Sequence, residues 1–333
     1  MKRVWMNHWF STAYNIIELF KADGEDAYVI GTNQNEYSVI MKMCDEWYRE
    51  PSHVDGNYVD FCLNFCKEHD VQYFVPRRGM LEISKNKEKF EQLGVKVMLD
   101  DLTTISTFNY KQKAYEFFKE NEIGIVPEFS IVNTEGAFEE AYEELSEKYD
   151  RVCFKFVKDE GGQSFRLIDN NKKGYASLFR TQSVGMTLDD VIAALSEKEE
   201  FDPIMVMPYL SGDEVSVDCL NTESGLIALP RVKGYAKYEM LEYDENIIKV
   251  CNDFQKKVGL ECPYNIQFKY LDGIPYFLEV NTRMSGGIHM SCKASGVNIP
   301  QLALKKLAGE EVTWSWDHKE KMLAQALEPI VLD

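Results

Sequence analysis

Across Tyr276-Phe-Leu-Glu-Val-Asn-Thr-Arg-Met-Ser-Gly-Gly287 an apolar lead-in gives way to polar residues at alternate positions: Glu279, Asn281 and Arg283. A repeat of two is the repeat of a β-strand, which turns all three side chains to one face. The chain must therefore build a sheet that carries a carboxylate, a carboxamide oxygen and a guanidinium side by side. Magnesium prefers hard oxygen ligands that it shares with substrate phosphates, so such a face suits an enzyme that uses ATP. The plainer alternative is a strand with one buried and one wet face.

The run before it favours the first reading. Asn265-Ile-Gln-Phe-Lys269 places Gln267 on a second strand, separated from the first by Leu271-Asp-Gly-Ile-Pro275. Asp-Gly is a turn signal. A two-residue loop at Asp272-Gly273 would set Leu278 opposite Gln267 and aim Glu279 away, whereas an odd loop centred on Gly273 sets Gln267 opposite Glu279. A shared metal site thus predicts a loop of three or five residues. Pro275, which cannot donate to a ladder, is compatible with a longer or bulged connection.

Composition excludes more than it identifies. A chain of 333 residues, 45% hydrophobic and 28% charged, is long enough for two or three compact domains and reads as an ordinary soluble protein rather than a disordered or fibrous one. A formal charge of −18 repels nucleic acid, and no Lys/Arg-rich run offsets it. The eight cysteines include no C-x-x-C pair and read as reduced, mostly buried thiols; Cys62 and Cys66, one helical turn apart, read as packed small hydrophobes. The N-terminal residues contain no apolar leader core, and no run of about eighteen apolar residues could span a membrane. The expectation is a cytoplasmic protein. None of His8, His53, His69, His289 and His318 has metal-site spacing, although His289 follows Gly286-Gly287 closely.

Along the chain, Val4–Met6, Ala27–Ile30 and Val71–Val75 read as strands, and Thr12–Lys21 and Asn57–His69 as helices. That βαβαβ order predicts a parallel sheet. A helix from about Asn109 to Glu120 opens a second part with strands expected at 151–157, 165–168, 204–209, 213–220, 226–232, 264–270 and 276–282. Helices are expected there near 134–148, 187–197, 243–258 and 298–307. The fold class is α/β followed by α+β, with parts at 1–105, 106–206 and 207–333.

Two further stretches carry chemistry. Val152 to Ile168 reads as strand, glycine loop and strand: Gly161 and Gly162 can expose backbone N–H groups to phosphate, and Lys155 supplies a compact positive charge. A plain hairpin is the alternative. Neither a Walker A motif nor a Rossmann fingerprint is present, since no glycine precedes Gly24 after the first strand. Ile204 to Asp218 combines an apolar strand end, a bend at Ser211-Gly212 and Glu214, which suits an adenine read by backbone groups with an acid on the ribose.

In order and spacing these pieces resemble the ATP-grasp superfamily, in the branch similar to the carbamoyl-phosphate synthase large subunit and to amino-acid ligases. The resemblance runs over nearly the whole chain. It includes Asn109 to Glu128 with its G-I-x-x-P-E step and the segment Ser291 to Gly309, and its most specific element is E-x-N-x-R-x-S-G-G. It implies an N-terminal parallel-sheet pre-ATP-grasp domain followed by a two-lobed ATP-grasp fold. It further implies that Lys155 contacts the α-phosphate and adenine, that Lys111 lies near the phosphates, and that the loop around Lys158, Gly161, Gly162, Gln163 and Ser164 closes over them. Met207, Pro208, Tyr209 and Leu210 would form the adenine hinge, with Glu214 on the ribose. Gln267, Glu279 and Asn281 would hold Mg2+, for which Mn2+ could substitute, and Arg283 would stabilise the transferred phosphoryl group. Arg231 and Lys233 stand where phosphate or substrate contacts occur, with a surface charge as the alternative for Arg231. Ser285, Gly286 and Gly287 would border the substrate.

This chain departs from the pattern at Met207-Pro208, where many relatives have an acid, and at Gln267, where much of the superfamily has a carboxylate. In Phe74-Val-Pro-Arg-Arg-Gly-Met-Leu-Glu82, Arg77 and Arg78 replace the usual acidic positions. Strand ends face the ligand crevice in parallel α/β domains, so these two arginines are expected to receive an anionic substrate group. The implied reaction is ligation of a small-molecule carboxylate and an amine through an acyl-phosphate, with no enzyme nucleophile. Bicarbonate activation, or an ATP sensor that ligates nothing, are the alternatives. A homodimer is compatible; nucleic-acid and membrane partners are not expected.

Overall fold

The computed structural model describes residues 1–24, 26–51, 57–158, 163–171, 184–234, 238–326 and 328–332. The chain divides into two compact units, one of residues 1–109, 213–267 and 279–333, the other of residues 110–212 and 268–278.

The first unit opens with β1 (Lys2–Asn7), α1 (Ala13–Phe20), β2 (Ala27–Asn33), β3 (Glu46–Arg49), α2 (Tyr58–Glu68), β4 (Tyr73–Pro76), α3 (Met80–Lys85), α4 (Lys87–Glu91), β5 (Lys96–Val97) and α5 (Leu102–Phe108). Its strands pair in parallel in the order β3-β2-β1-β4-β5, as the alternating pattern requires. Val4, Met6 and Val29 turn to one face, and Trp5, Ile30 and Phe74 to the other. Both faces are covered, which explains the continuous apolar runs of β1 and β2. Trp5 stacks on Phe74 with ring centroids 4.0 Å apart beneath α2. Asn57 and Asp101 cap α2 and α5 by accepting from Val59 N and Thr104 N.

The second unit holds α6 (Lys111–Glu120), β6 (Ser130–Val132), α7 (Glu135–Ser146), β7 (Val152–Phe156), β8 (Arg166–Ile168), β9 (Gly185–Met186), α8 (Leu188–Leu195) and β10 (Ile204–Pro208). The sheet order is β6-β10-β7-β8-β9, antiparallel except for β8 and β9. Phe138, Ala141 and Leu145 of α7 pack on Val152, Ile204 and Val206. The helical spacing of those three residues is what buries this face.

The first unit is completed by β11 (Glu214–Thr222), β12 (Gly225–Lys233), β13 (Tyr238–Leu241), α9 (Glu245–Val258), β14 (Tyr264–Leu271), β15 (Ile274–Asn281), α10 (Ile288–Ser295), α11 (Ile299–Ala308) and β16 (Lys321–Ala324), with the third sheet ordered β15-β14-β11-β12-β13-β16. Leu220, Ile227 and Leu229 of this sheet join α1, α10 and α11 in the same core as Val4 and Met6. Residues 268–278, the far part of the β14–β15 hairpin, belong to the second unit, where Phe277 stacks on Phe118 at 3.7 Å between centroids. All eight cysteines are free and seven are buried. Burial pushes the Cys66 thiol up to about 12 and Cys62 higher still, as expected of packed hydrophobes. Among the described residues no helix is long and apolar enough to cross a membrane.

Candidate functional site

The turn between β14 and β15 corrects the expected loop. β14 ends at Leu271 and β15 starts at Ile274, so the loop has two residues, not three or five. Asp272 at φ 52° and Gly273 at φ 78° are both left-handed, the conformation that an Asp-Gly type I′ turn demands. By the turn alone, Leu278 would stand opposite Gln267. Phe277 and Val280 are both buried, three residues apart, Phe277 in the second unit against Phe118 and Val280 in the first. The Leu278 carbonyl also accepts from the Tyr115 hydroxyl at 3.2 Å. Glu279 and Asn281, two residues apart on β15, share a face, and Asn281 Nδ2 donates to Glu279 Oε1 at 3.0 Å. On β14, Gln267 Nε2 donates to Asn265 Oδ1 at 3.1 Å.

These hydrogen bonds decide which atoms remain for a cation. Gln267 and Asn281 each use their NH2 on a neighbouring acceptor, so the oxygen is the end that could serve a cation. Among the described residues no three His, Cys, Asp or Glu stand together, so a metal here would need the amide oxygens of Gln267 and Asn281 beside Glu279, plus oxygens from a ligand. That donor set is all oxygen and suits magnesium rather than a softer ion.

Under this face lies a buried polar cluster. Asp218, fully buried on β11, accepts from Asn265 Nδ2 at 3.0 Å, Ser285 Oγ at 2.6 Å and Ser291 Oγ at 2.6 Å, with Arg231 Nη2 3.7 Å away. Arg231 of β12 is 2% exposed, pairs with Glu239 of β13 and donates to Ser291 at 3.2 Å. The surface-charge alternative for Arg231 therefore fails. Gly287 touches this guanidinium: a Cβ there would stand 2.7 Å from Arg231 Cζ. Arg283 lines a narrow recess with Trp9, Val75, Pro76 and Pro263, at the carboxyl ends of β1 and β4. Lys233 and Glu214 face each other across β11 and β12 and form an ion pair at 2.5 Å. His289, in the first turn of α10, is held below its ordinary pKa by burial and by Lys293 and Arg231.

Arg78 is not a spare cation. It pairs with the buried Glu50 at 3.0 Å and its guanidinium lies 4.6 Å from the Tyr58 ring centre. Buried Asn7 fixes the local backbone by accepting from Arg77 N at 2.6 Å and donating to Arg78 O at 3.1 Å. Arg78 thus already has a carboxylate partner in the fold, Glu50, which follows β3 directly.

In the second unit, Lys155 and Lys111 are both buried, Lys155 with its ammonium 5.8 Å from the Tyr115 ring centre. Lys158 Nζ lies 5.4 Å from the Tyr110 ring centre. Ser164 Oγ accepts from Phe156 N at 2.9 Å, and the Gln163 carbonyl accepts from Arg166 at 3.0 Å. Gly161 and Gly162 lie outside the described residues. Met207 and Leu210 are buried, the Pro208 carbonyl takes the Cys153 thiol at 3.7 Å, and the Tyr209 N–H is committed to the Arg151 carbonyl at 2.8 Å. Gly212 approaches Tyr270 so closely that a Cβ would lie 2.8 Å from its carbonyl oxygen. Sequence reasoning missed Asp218 and Glu50, and Asp218's place in the cluster depends on residues of β12, β14 and α10 and on Ser285.

Residues 200–329 match the family model "ATP-grasp in the biosynthetic pathway with Ter operon", and residues 11–98 match "PylC-like, N-terminal domain". The chain is 24% identical to the carbamoyl phosphate synthase arginine-specific large chain of Geobacillus stearothermophilus, over 95% of its own length and 29% of that protein's. It thus spans less than a third of the curated relatives it matches. Among solved structures, N5-carboxyaminoimidazole synthetase from Staphylococcus aureus, complexed with ADP, superposes with a TM-score of 0.71 at 13% identity, covering 98% of this chain and 82% of that one. The biotin carboxylase domain of Hydrogenobacter thermophilus 2-oxoglutarate carboxylase, in complex with MgADP and bicarbonate, gives 0.69 at 17% identity, over 96% and 73%.

Proposed function

We propose that this chain, whose fold is that of the ATP-grasp superfamily, is an ATP-dependent ligase that joins a carboxylate to an amine through an acyl-phosphate. The observation that supports the reading is that Gln267 and Asn281 spend their amide hydrogens on Asn265 and Glu279, which leaves oxygen as the metal-binding end of each amide. With Glu279 these oxygens would hold Mg2+, which supplies charge neutralisation for a phosphoryl group in flight. Lys111 and Lys155 would hold ATP phosphates, the hinge from Met207 to Leu210 the adenine, and Arg283 the transferred group. The substrate carboxylate oxygen attacks the γ-phosphorus, the bond to the β-phosphate oxygen breaks and ADP leaves. The amine nitrogen then attacks the acyl carbon, the carbon–oxygen bond to phosphate breaks, and the amine gives up a proton. No step needs an enzyme nucleophile.

The division at 105/106 and 206/207 into an N-terminal domain, a lid lobe and a metal lobe is part of the same proposal. Screening carboxylates and amines for coupled phosphate release tests it: ADP should appear only when both partners are supplied. Glu279→Gln should lower turnover about 10²–10³-fold, the worth of one well-placed electrostatic group at roughly 3–4 kcal/mol. Full turnover in that variant would refute the role of Glu279. Label from bicarbonate in the product would instead favour the carboxyphosphate route.

A further inference from the structure

We propose that Asp218 is a positioning residue that decides which atom Gln267 presents to the cation. This inference rests on the metal reading above and concerns an amide, whose two ends differ in chemistry but hardly in shape. Asn265 Nδ2 lies 3.0 Å from Asp218 Oδ1, 3.0 Å from Ser216 Oγ and 3.1 Å from the Val217 carbonyl oxygen. Turned over, Asn265 would aim its own oxygen at a carbonyl and a carboxylate, so the NH2 must face Asp218. Its Oδ1 then faces β14's outward side and takes Gln267 Nε2 at 3.1 Å. Gln267 in turn has its NH2 fixed, and its oxygen is the end left for a metal. A two-bond relay therefore runs from a buried carboxylate to a metal ligand.

Asp218 can enforce this because Asn265, Ser285 and Ser291 all donate to it and the Arg231 guanidinium stands 3.7 Å away as a cation. A carboxylate accepts on both sides at once. An amide at position 218 has one oxygen. Turned toward Arg231 and Ser291, it offers NH2 to Asn265, which is then pressed to rotate, and Gln267 follows with its NH2 toward the cation. The superfamily's commoner carboxylate at the Gln267 position would be indifferent to this, having oxygen at both ends. The relay is a requirement that the glutamine itself creates.

The test measures Mn2+ affinity in the presence of ADP, by electron paramagnetic resonance, with thermal midpoints recorded for every variant. Asp218→Asn should weaken Mn2+ about 10–100-fold, the usual effect of disturbing a group behind a metal ligand. In a Gln267→Glu background the same substitution should change affinity by no more than about twofold, because the ligand no longer has a wrong end. Ser291→Ala removes one donor from the same carboxylate without touching Asn265 and should leave Mn2+ affinity within about twofold of the parent. Equal losses from Asp218→Asn in both backgrounds, or no loss in either, would overturn the inference. If Gln267→Ala leaves Mn2+ affinity unchanged in the parent, the metal reading fails first and the relay with it.

Discussion

Gly287→Ala should damage this protein while its neighbour Gly286→Ala does not, and the contrast follows from what each missing Cβ would meet. Gly287 has φ −98°, which any residue can adopt, so its backbone does not require glycine. Space does. A Cβ would stand 2.7 Å from Arg231 Cζ and 2.9 Å from Nη1, closer than nonbonded atoms tolerate. An exposed arginine would swing aside at little cost, but this one is 2% exposed and tied to Glu239, Ser291 and Asp218. If the guanidinium stays, the cost is that of overpacking, about 1–3 kcal/mol. If it moves, it breaks a buried pair, which costs about 3–5 kcal/mol. The expected loss is therefore about 2–4 kcal/mol, between those two limits. At Gly286 a Cβ would meet Thr12 Oγ1 at 3.2 Å and Phe10 at 3.5 Å, contacts that a small shift relieves, so the loss should stay below about 1 kcal/mol. Urea unfolding of both variants, compared at equal m-value, measures the difference. A Gly287→Ala protein within about 0.5 kcal/mol of the parent would refute the claim that Arg231 is locked.

Two other expectations come from buried carboxylates. Burial pushes Asp100 up to about 6, against backbone donors from Glu261 and Cys262. The folded state thus holds this proton more tightly than the unfolded chain, whose carboxyl titrates near 3.8. Stability should be greatest, for this group, below that pH and should fall by on the order of 2–3 kcal/mol as pH rises through about 4 to 6. Asp100→Asn should flatten that portion of the stability–pH curve; an unchanged slope would contradict the assignment. Arg78→Met should destabilise the fold by leaving Glu50 uncompensated, and adding Glu50→Gln should recover most of the loss in a denaturation cycle. Independent, additive losses would show that Arg78 does not serve Glu50.

How far the sequence could be read depended on how local each signal was. The parallel N-terminal sheet followed from apolar runs and capped helices, and β1, β2, β4, β7, β11, β12, β14 and β15 all lie within a few residues of where alternation puts them. Short edge strands did not announce themselves: β13 and β16 pair with each other from positions some eighty residues apart, each is four residues long, and neither shows a regular alternation of buried and exposed positions. Without β13 and Glu239, Arg231 reads as a possible surface charge. Asp272-Gly273 signalled its two-residue turn by composition alone, and the expectation of a longer loop failed because it was drawn from the metal reading rather than from the turn residues. Glu50 and Asp218 were missed because a buried acid shows itself only through the donors that tertiary structure gathers around it.

The most direct test of the central claim is a crystal of the protein grown with Mn2+ and a non-hydrolysable ATP analogue, mapped at a wavelength where manganese scatters anomalously. The account predicts manganese peaks coordinated by oxygens of Glu279, Asn281 and Gln267 at about 2.0–2.3 Å, shared with phosphate oxygens. Manganese and triphosphate bound elsewhere, or Gln267 facing the ion with its nitrogen, would contradict it.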